Sequence, residues 1–182
     1  MTNPPLTFTA IDFETATGYR NSVCQVGLVK AINGIIAEEY CGLIQPPGNY
    51  IWEDFSEIHG IYPEHTACAP RFAESYPKWK HFIENQTLVA HNMRFDFGCL
   101  KACLADFCGI GISAADETGI LCKTYCTMKI WKGAFQNAKL LTCCENNRIS
   151  LECHHNALAD AKACAKLFII AVNLNRDLKE TY

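Results

Sequence analysis

Ala10-Ile11-Asp12-Phe13-Glu14-Thr15 is the stretch on which the reading of this chain turns. Leu6-Thr7-Phe8 before it and Val23 to Ile32 after it read as neighbouring strands. In an extended segment, residues two apart face the same way, roughly 6.6 Å apart along the backbone. Asp12 and Glu14 therefore project together from one face of an otherwise apolar strand. Two carboxylates about 4 Å apart repel by roughly 4 kcal/mol at an effective dielectric near 20. A cation held between them removes that cost. On spacing alone, the pair fits a solvated strand end as well as it fits a metal site.

Working outward, Val23 to Ile32 alternates along its length. Asn33-Gly34 is a strong hairpin signal leading into a third strand, Ile35 to Ile44, antiparallel to the second. Pro46-Pro47-Gly48-Asn49 ends that run, and a loop region follows that contains Ile58-His59-Gly60-Ile61. Pro70 sits at a first helical turn. Phe72, Tyr76, Trp79 and Ile83 then recur with the period of a helix that buries one face. Leu88-Val89-Ala90-His91 is a short buried strand, followed by a helix with Phe95, Cys99, Cys103 and Leu104 on one face. One more short strand falls within Thr118 to Lys132, and a helix near Ala138 to Glu145. The last helix starts close to Asn156 and carries Leu158, Ala161, Ala165, Phe168 and Val172 on one stripe. This order predicts an α/β domain: a mixed central sheet of about five strands flanked by helices. Residues 1–172 form the single expected domain, and 173–182 a polar tail that frays.

Composition sets the outer limits. At 182 residues the chain can bury one substantial core, and a second full domain is not expected. A hydrophobic share of 49% against 19% charged is that of a packed chain rather than a disordered one. A net charge of −3 argues against coating nucleic acid through bulk positive charge, but leaves room for a local site. Met1-Thr2-Asn3-Pro4-Pro5 lacks the basic and apolar regions of a secretory signal, and no apolar run is long enough to span a membrane. A cytoplasmic protein without a membrane partner is the expectation. Among the 12 cysteines no C-x-x-C pair occurs, so a zinc framework is not indicated. Cys99, Cys103 and Cys164 fall on apolar helical positions, where a thiol packs as a small hydrophobe.

Two further acids stand out by position. Asp96 falls in the first turn of the helix after the Leu88 strand, and Asp160 near the first turn of the last helix. Taken singly, each is a helix-start acid that the helix N-terminus stabilises, and His155 is a structural or capping histidine. Taken together with Asp12 and Glu14, they are carboxylates from separate elements that meet at one end of a sheet, where ligands gather in open α/β folds. A hard divalent cation such as Mg²⁺ needs several such oxygens and keeps positions open for water and phosphate.

From Leu6 to about Ile170 the chain resembles the DEDD (DnaQ-like) 3′–5′ exonucleases, in the histidine subgroup that holds RNase T, oligoribonuclease and the epsilon subunit of DNA polymerase III. Asp12-Phe13-Glu14-Thr15 resembles the first exonuclease motif. Leu88-Val89-Ala90-His91-Asn92 with Phe95-Asp96 resembles the second, and His155-x-Ala157-x-x-Asp160-Ala161 the third. Ile58-His59-Gly60-Ile61, with Pro63-Glu64, is similar to the substrate-side loop. The resemblance implies an RNase H-like fold and hydrolysis with two divalent cations, Mg²⁺ or Mn²⁺. It makes Asp12, Glu14 and Asp160 direct ligands, with Asp96 acting through water, and His155 the general base. Thr15, His59, Asn92 and Phe95 become the contacts to the terminal nucleotide. The implied partner is a nucleic acid 3′ end, DNA before RNA, with a 3′–5′ exoribonuclease as the alternative and a non-catalytic 3′-end or protein-binding module as a third reading.

One departure concerns the substrate pocket. Thr15-Ala16-Thr17-Gly18 replaces the family's two threonines and a glycine. The chain also stops soon after the third motif, which suggests a free-standing exonuclease domain. Between Thr118 and Cys144, Lys123, Lys129, Lys132 and Lys139 are interleaved with Tyr125, Trp131 and Phe135. Such a stretch either tracks a single strand by charge and stacking or is a solvated lysine face over core aromatics.

Overall fold

The computed structural model describes residues 6–110 and 123–178. The carboxylate-bearing strand, β1 (Phe8–Thr15), is buried at all positions but Asp12 and runs through the middle of a five-stranded sheet. Its run of apolar and small residues suits a strand covered on both faces. β2 (Val23–Ile32) pairs antiparallel with β1, and β3 (Ile35–Leu43) antiparallel with β2. The turn between β2 and β3 places Asn33 and Gly34 at positive φ, the backbone that a tight two-residue hairpin requires. β4 (Leu88–Ala90) and β5 (Thr124–Cys126) run parallel to β1 on its other side, giving the order β3-β2-β1-β4-β5. The expected mixed sheet is thus present.

Successive residues of β1 feed opposite layers. Ile11 and Phe13 face a core with Trp79 of α3 (Phe72–Trp79) and with Met93 and Leu100 of α4 (Met93–Cys103). Phe8 and Ala10 face the other core, with Tyr125, Trp131 and the helix α7 (Ala157–Asn173). Phe8 meets Phe168 of α7 edge-on at 4.8 Å between ring centres. Asp12 and Glu14 share the phase of Phe8 and Ala10, so they point toward the start of α7.

That start is held by a close contact. Gly27 lies opposite Asp12 in the β1–β2 register. A Cβ there would overlap the backbone carbonyl of Ala157. Glycine therefore lets the first turn of α7 rest directly on β2. The Gln25 side chain accepts a hydrogen bond from the Ala157 N–H at 2.9 Å, and Asn156 caps the helix by accepting from the Ala159 N–H at 3.2 Å. Asp160 is placed by these three contacts.

Several elements differ from expectation. The region after β3 holds two short helices, α1 (Glu53–His59) and α2 (Pro63–Thr66), rather than a loop. Gly60 ends α1 in the left-handed region, which a side chain would strain. α3 starts after Arg71, whose N–H is taken by the Glu74 carboxylate at 3.0 Å, and it gives way after Trp79 to a tight turn over Lys80–Phe82. Ile83 is nevertheless fully buried. A one-turn helix, α5 (Thr127–Ile130), follows β5, and α6 (Leu140–Asn146) starts two residues later than its pattern suggested. The strand expected within Thr118–Lys132 is β5, while residues 118–122 lie outside the described residues. The tail expected to fray packs over its described part: Arg176 stacks 4.1 Å over the Trp131 ring, and Leu178 joins the second core. Residues 179–182 lie outside the described residues. Tyr125 and Trp131 are core residues at 5% and 1% exposure, which removes them as stacking platforms for bases. Cys99, Cys103 and Cys164 are buried free thiols, and burial raises all three thiols above their ordinary range. No helix among the described residues is long and apolar enough to cross a membrane.

Gly27→Ala forces α7 away from β2. Overpacking of this kind costs about 1–3 kcal/mol, which for a chain of this size lowers the melting temperature by roughly 2–12 °C. Differential scanning calorimetry of the two proteins in EDTA measures the shift.

Candidate active site

Three of the predicted acids converge. One carboxylate oxygen each from Asp12, Glu14 and Asp160 lies within 4.8 Å of the others. β1 supplies the first two on one face, and a register shift between Glu14 and Thr15 bends the strand just beyond them. Asp160 comes from the first turn of α7. Asp96 does not join this trio. It sits in the first turn of α4, where its Oδ1 accepts the Phe13 N–H at 3.1 Å, so α4 is tied to the strand between the two acids.

This cluster is electrostatically costly. Asp12 is held well above the usual carboxylate range by burial, then by the charges of Asp96, Glu14 and Asp160. Burial, with Asp160 and Asp96, pushes Glu14 up from about 4.5 to about 8. Burial also raises Asp96 to about 8, against its backbone hydrogen bonds and the Arg20 guanidinium, which pull it down. No described lysine or arginine forms an ion pair with Asp12 or Glu14. Buried charges ordinarily have a partner. An all-carboxylate donor set of this size, short of positive charge, fits a hard divalent cation.

Two histidines flank the cluster. The Nδ1 of His154 lies 2.9 Å and 3.1 Å from the two Asp160 oxygens. The backbone N–H of His155 donates to the same carboxylate at 3.2 Å. His155 has φ +66°, and its ring stacks on that of His154 with centres 3.9 Å apart. Burial and the neighbouring His154 lower the His155 pKa, so its imidazole is neutral near pH 7. The third motif points to His155 alone; His154, its neighbour in the sequence, supplies the second ring. Together these acids and histidines line an open cleft of about 470 Å³. A larger groove of about 770 Å³, beside Arg71, Phe72 and Phe107, holds none of them.

The four expected nucleotide contacts divide. Asn92 and Phe95 line the cleft. Thr15 is buried at the end of β1, and His59 is turned onto it. The His59 Nδ1 accepts the Ile61 N–H at 3.0 Å, so its Nε2–H donates to the Thr15 carbonyl at 3.2 Å. Both ring nitrogens are thus engaged with the backbone. Arg20, which no motif indicated, crosses to α4, donating to the carbonyls of Arg94 and Phe95 and lying 5.5 Å over the Phe95 ring. Gly98 leaves room for it.

Acids from a strand and a helix thus meet around one cleft at the end of the sheet. Residues 9–168 match the model of the exonuclease family named for RNase T, and the chain belongs to that family. It is 30% identical over 176 residues to the DNA polymerase III PolC-type of Thermotoga petrophila, covering 94% of this chain but 12% of that protein. It is 25% identical over 167 residues to the DNA polymerase III epsilon subunit of Buchnera aphidicola, covering 88% of this chain and 66% of the relative. Among solved structures it is similar to exonuclease X in complex with 5′ overhanging duplex DNA, with a TM-score of 0.71, 22% identity and 91% coverage of both chains. The sheet and its helices are therefore the RNase H-like exonuclease fold.

The charge cluster makes a signed prediction for the metal-free protein. Glu14 and Asp96 keep protons in the folded state that they release when unfolded, from about pH 4.5 for Glu14 and about pH 3.8 for Asp96 up to about pH 8. Their contribution to stability is therefore full at low pH and lost as pH rises through that window. The melting temperature in EDTA falls across the window, and Mn²⁺ at pH 8 restores it. Asp12→Asn raises the metal-free value by several degrees and removes the response to Mn²⁺, as thermal unfolding at two pH values will read.

Proposed function

We propose that this chain is a 3′–5′ exonuclease that removes nucleoside 5′-monophosphates from single-stranded 3′ ends with two divalent cations, Mg²⁺ or Mn²⁺. The observation that carries the proposal is the convergence of Asp12, Glu14 and Asp160 on one spot, with no described lysine or arginine in an ion pair with any of them. Asp12, Glu14 and Asp160 would hold the cations, and Asp96 would support them from beside the cluster. When bound, such ions stabilise the attacking and leaving oxygens of an in-line displacement at phosphorus. Family membership supports the reaction class, and residues 1–172 act as the catalytic unit.

The chain's own residues then have separable tasks. His155, neutral near pH 7, takes a proton from the attacking water as the new P–O bond forms. The bond to the 3′ oxygen of the preceding nucleotide breaks, and that oxygen takes a proton from solvent. Asn92 and Phe95 face the terminal nucleotide across the cleft. His59 steadies the backbone of Thr15, where the sugar is read. A second assignment has one observation in its favour: the His154 ring is bonded directly to Asp160. In that reading His154 is the base and His155 orients it.

DNA is the preferred substrate, because the relatives named above are DNA polymerase components. An exoribonuclease is the alternative, separated by how the site meets the 2′-hydroxyl.

With Mg²⁺ or Mn²⁺, a 5′-labelled single-stranded oligonucleotide is shortened in steps from its 3′ end, and Asp12→Ala abolishes the ladder. His155→Ala lowers kcat by roughly 10²–10⁴, and His154→Ala by less than about tenfold. The reverse ranking moves the base to His154. Matched DNA and RNA oligomers, compared by kcat/KM, favour DNA; a higher value for RNA selects the exoribonuclease. No shortening with either metal contradicts the proposal.

A further inference from the structure

The cleft is acidic, yet a nucleic-acid strand carries a negative charge on every phosphate. Among the described residues that line it, Lys139 is the one permanent cation. Its side chain is exposed, and no described carboxylate pairs with it.

The backbone beneath that side chain is fixed from three directions. The Lys139 N–H donates to Asn137 Oδ1 at 3.0 Å, and its carbonyl accepts the Cys143 N–H at 3.0 Å. The preceding carbonyl, of Ala138, accepts from His91 Nε2 at 2.8 Å. His91 follows β4, and its Nδ1 accepts the Thr127 hydroxyl at 2.9 Å. Burial pushes the His91 imidazole down to about 4, so at neutral pH it carries one ring proton, and the Ala138 carbonyl places it on Nε2. A hydrogen-bonded chain thus runs from the sheet end to residue 138. It sets the Cα of Lys139 at the cleft rim, and the ammonium on its flexible stem has no ion-pair partner among the described residues.

We propose that Lys139 grips a backbone phosphate of the single strand lying in the cleft, and that His91 is the positioning residue that holds Lys139 at its rim. This rests on the exonuclease reading above. A lysine ammonium suits the task, as a point charge that takes phosphate from many directions and so carries no base preference. The contact is sequence-independent and salt-dependent. Each phosphate neutralised on a single strand contributes about 0.7 to the slope of log affinity against log salt.

Steady-state kinetics of the full chain with Mn²⁺ and a 5′-labelled oligothymidylate, over a range of NaCl, test this. Lys139→Gln raises KM roughly tenfold at low salt with kcat within about twofold, and flattens the salt slope by about 0.7. Lys139→Arg recovers most of both. His91→Leu, which removes the donor to Ala138, raises KM in the same way, and adds nothing further in the double variant. A wild-type KM and salt slope in Lys139→Gln overturn the proposal, as does a fall in kcat at unchanged KM. Additive losses overturn the role of His91. Fluorescence anisotropy of the same oligonucleotide in Ca²⁺ reads binding without requiring cleavage. An inactive wild type therefore counts against the exonuclease reading alone, while the Lys139 comparison still returns a result.

Discussion

The contact between Gly27 and Ala157 is the constraint on which the site depends. β1 can present Asp12 and Glu14 by its own alternation, but the third carboxylate belongs to a helix more than a hundred residues further on. Asp160 reaches them only because α7 begins flush against β2, where Gly27 has no Cβ to hold it off. Gln25, two residues earlier on the same strand, fixes the first N–H of the helix. The remaining length of α7, with Leu167, Phe168 and Ala171 fully buried, drives the docking through ordinary apolar burial. One small residue thus converts a general packing force into a specific placement of charge.

The same placement works against stability. Burying carboxylates side by side leaves Asp12, Glu14 and Asp96 resisting ionisation at pH values where exposed acids are fully charged. A core optimised for stability alone would carry neutral side chains there. The surrounding structure offsets the cost: Phe13 donates its N–H to Asp96, His155 its N–H to Asp160, and Arg20 lies close enough to Asp96 to favour its charge. In the proposed function, that unmet demand is what cations from outside the chain would satisfy. Lys139, at the rim rather than the floor, leaves that deficit in place.

How much of this was legible in the sequence follows from the range of each signal. The β1 alternation, the Asn33-Gly34 hairpin and the stripe of α7 are local patterns, and each appears in the structure close to where it was read. The gathering of Asp12, Glu14 and Asp160 was legible only as a joint pattern, from acids at a strand end and at helix starts and from the resemblance of three motifs, because no local rule relates residue 12 to residue 160. Helices α1 and α2 were missed because they are short and end in turns, so neither shows a full period of apolar residues. Tyr125 and Trp131 among the lysines fitted either a stacking surface or core aromatics under a solvated lysine face; β5 and the end of α5 turn both inward while the lysines stay outside, which selects the second. Gly27 gave no sign of its role, since close approach between elements is a property of the fold and not of the neighbouring residues. His59 illustrates the same limit: its motif placed it near Thr15, but only the structure shows both ring nitrogens committed to backbone.

The central claim is that the three converging carboxylates form a cation site. Anomalous diffraction from a crystal soaked in Mn²⁺ and a nucleoside 5′-monophosphate tests it most directly. The account predicts manganese peaks bonded to oxygens of Asp12, Glu14 and Asp160, with the phosphate against them. Manganese bound only through His154 and His155, or no peak within bonding distance of Asp12, would contradict it.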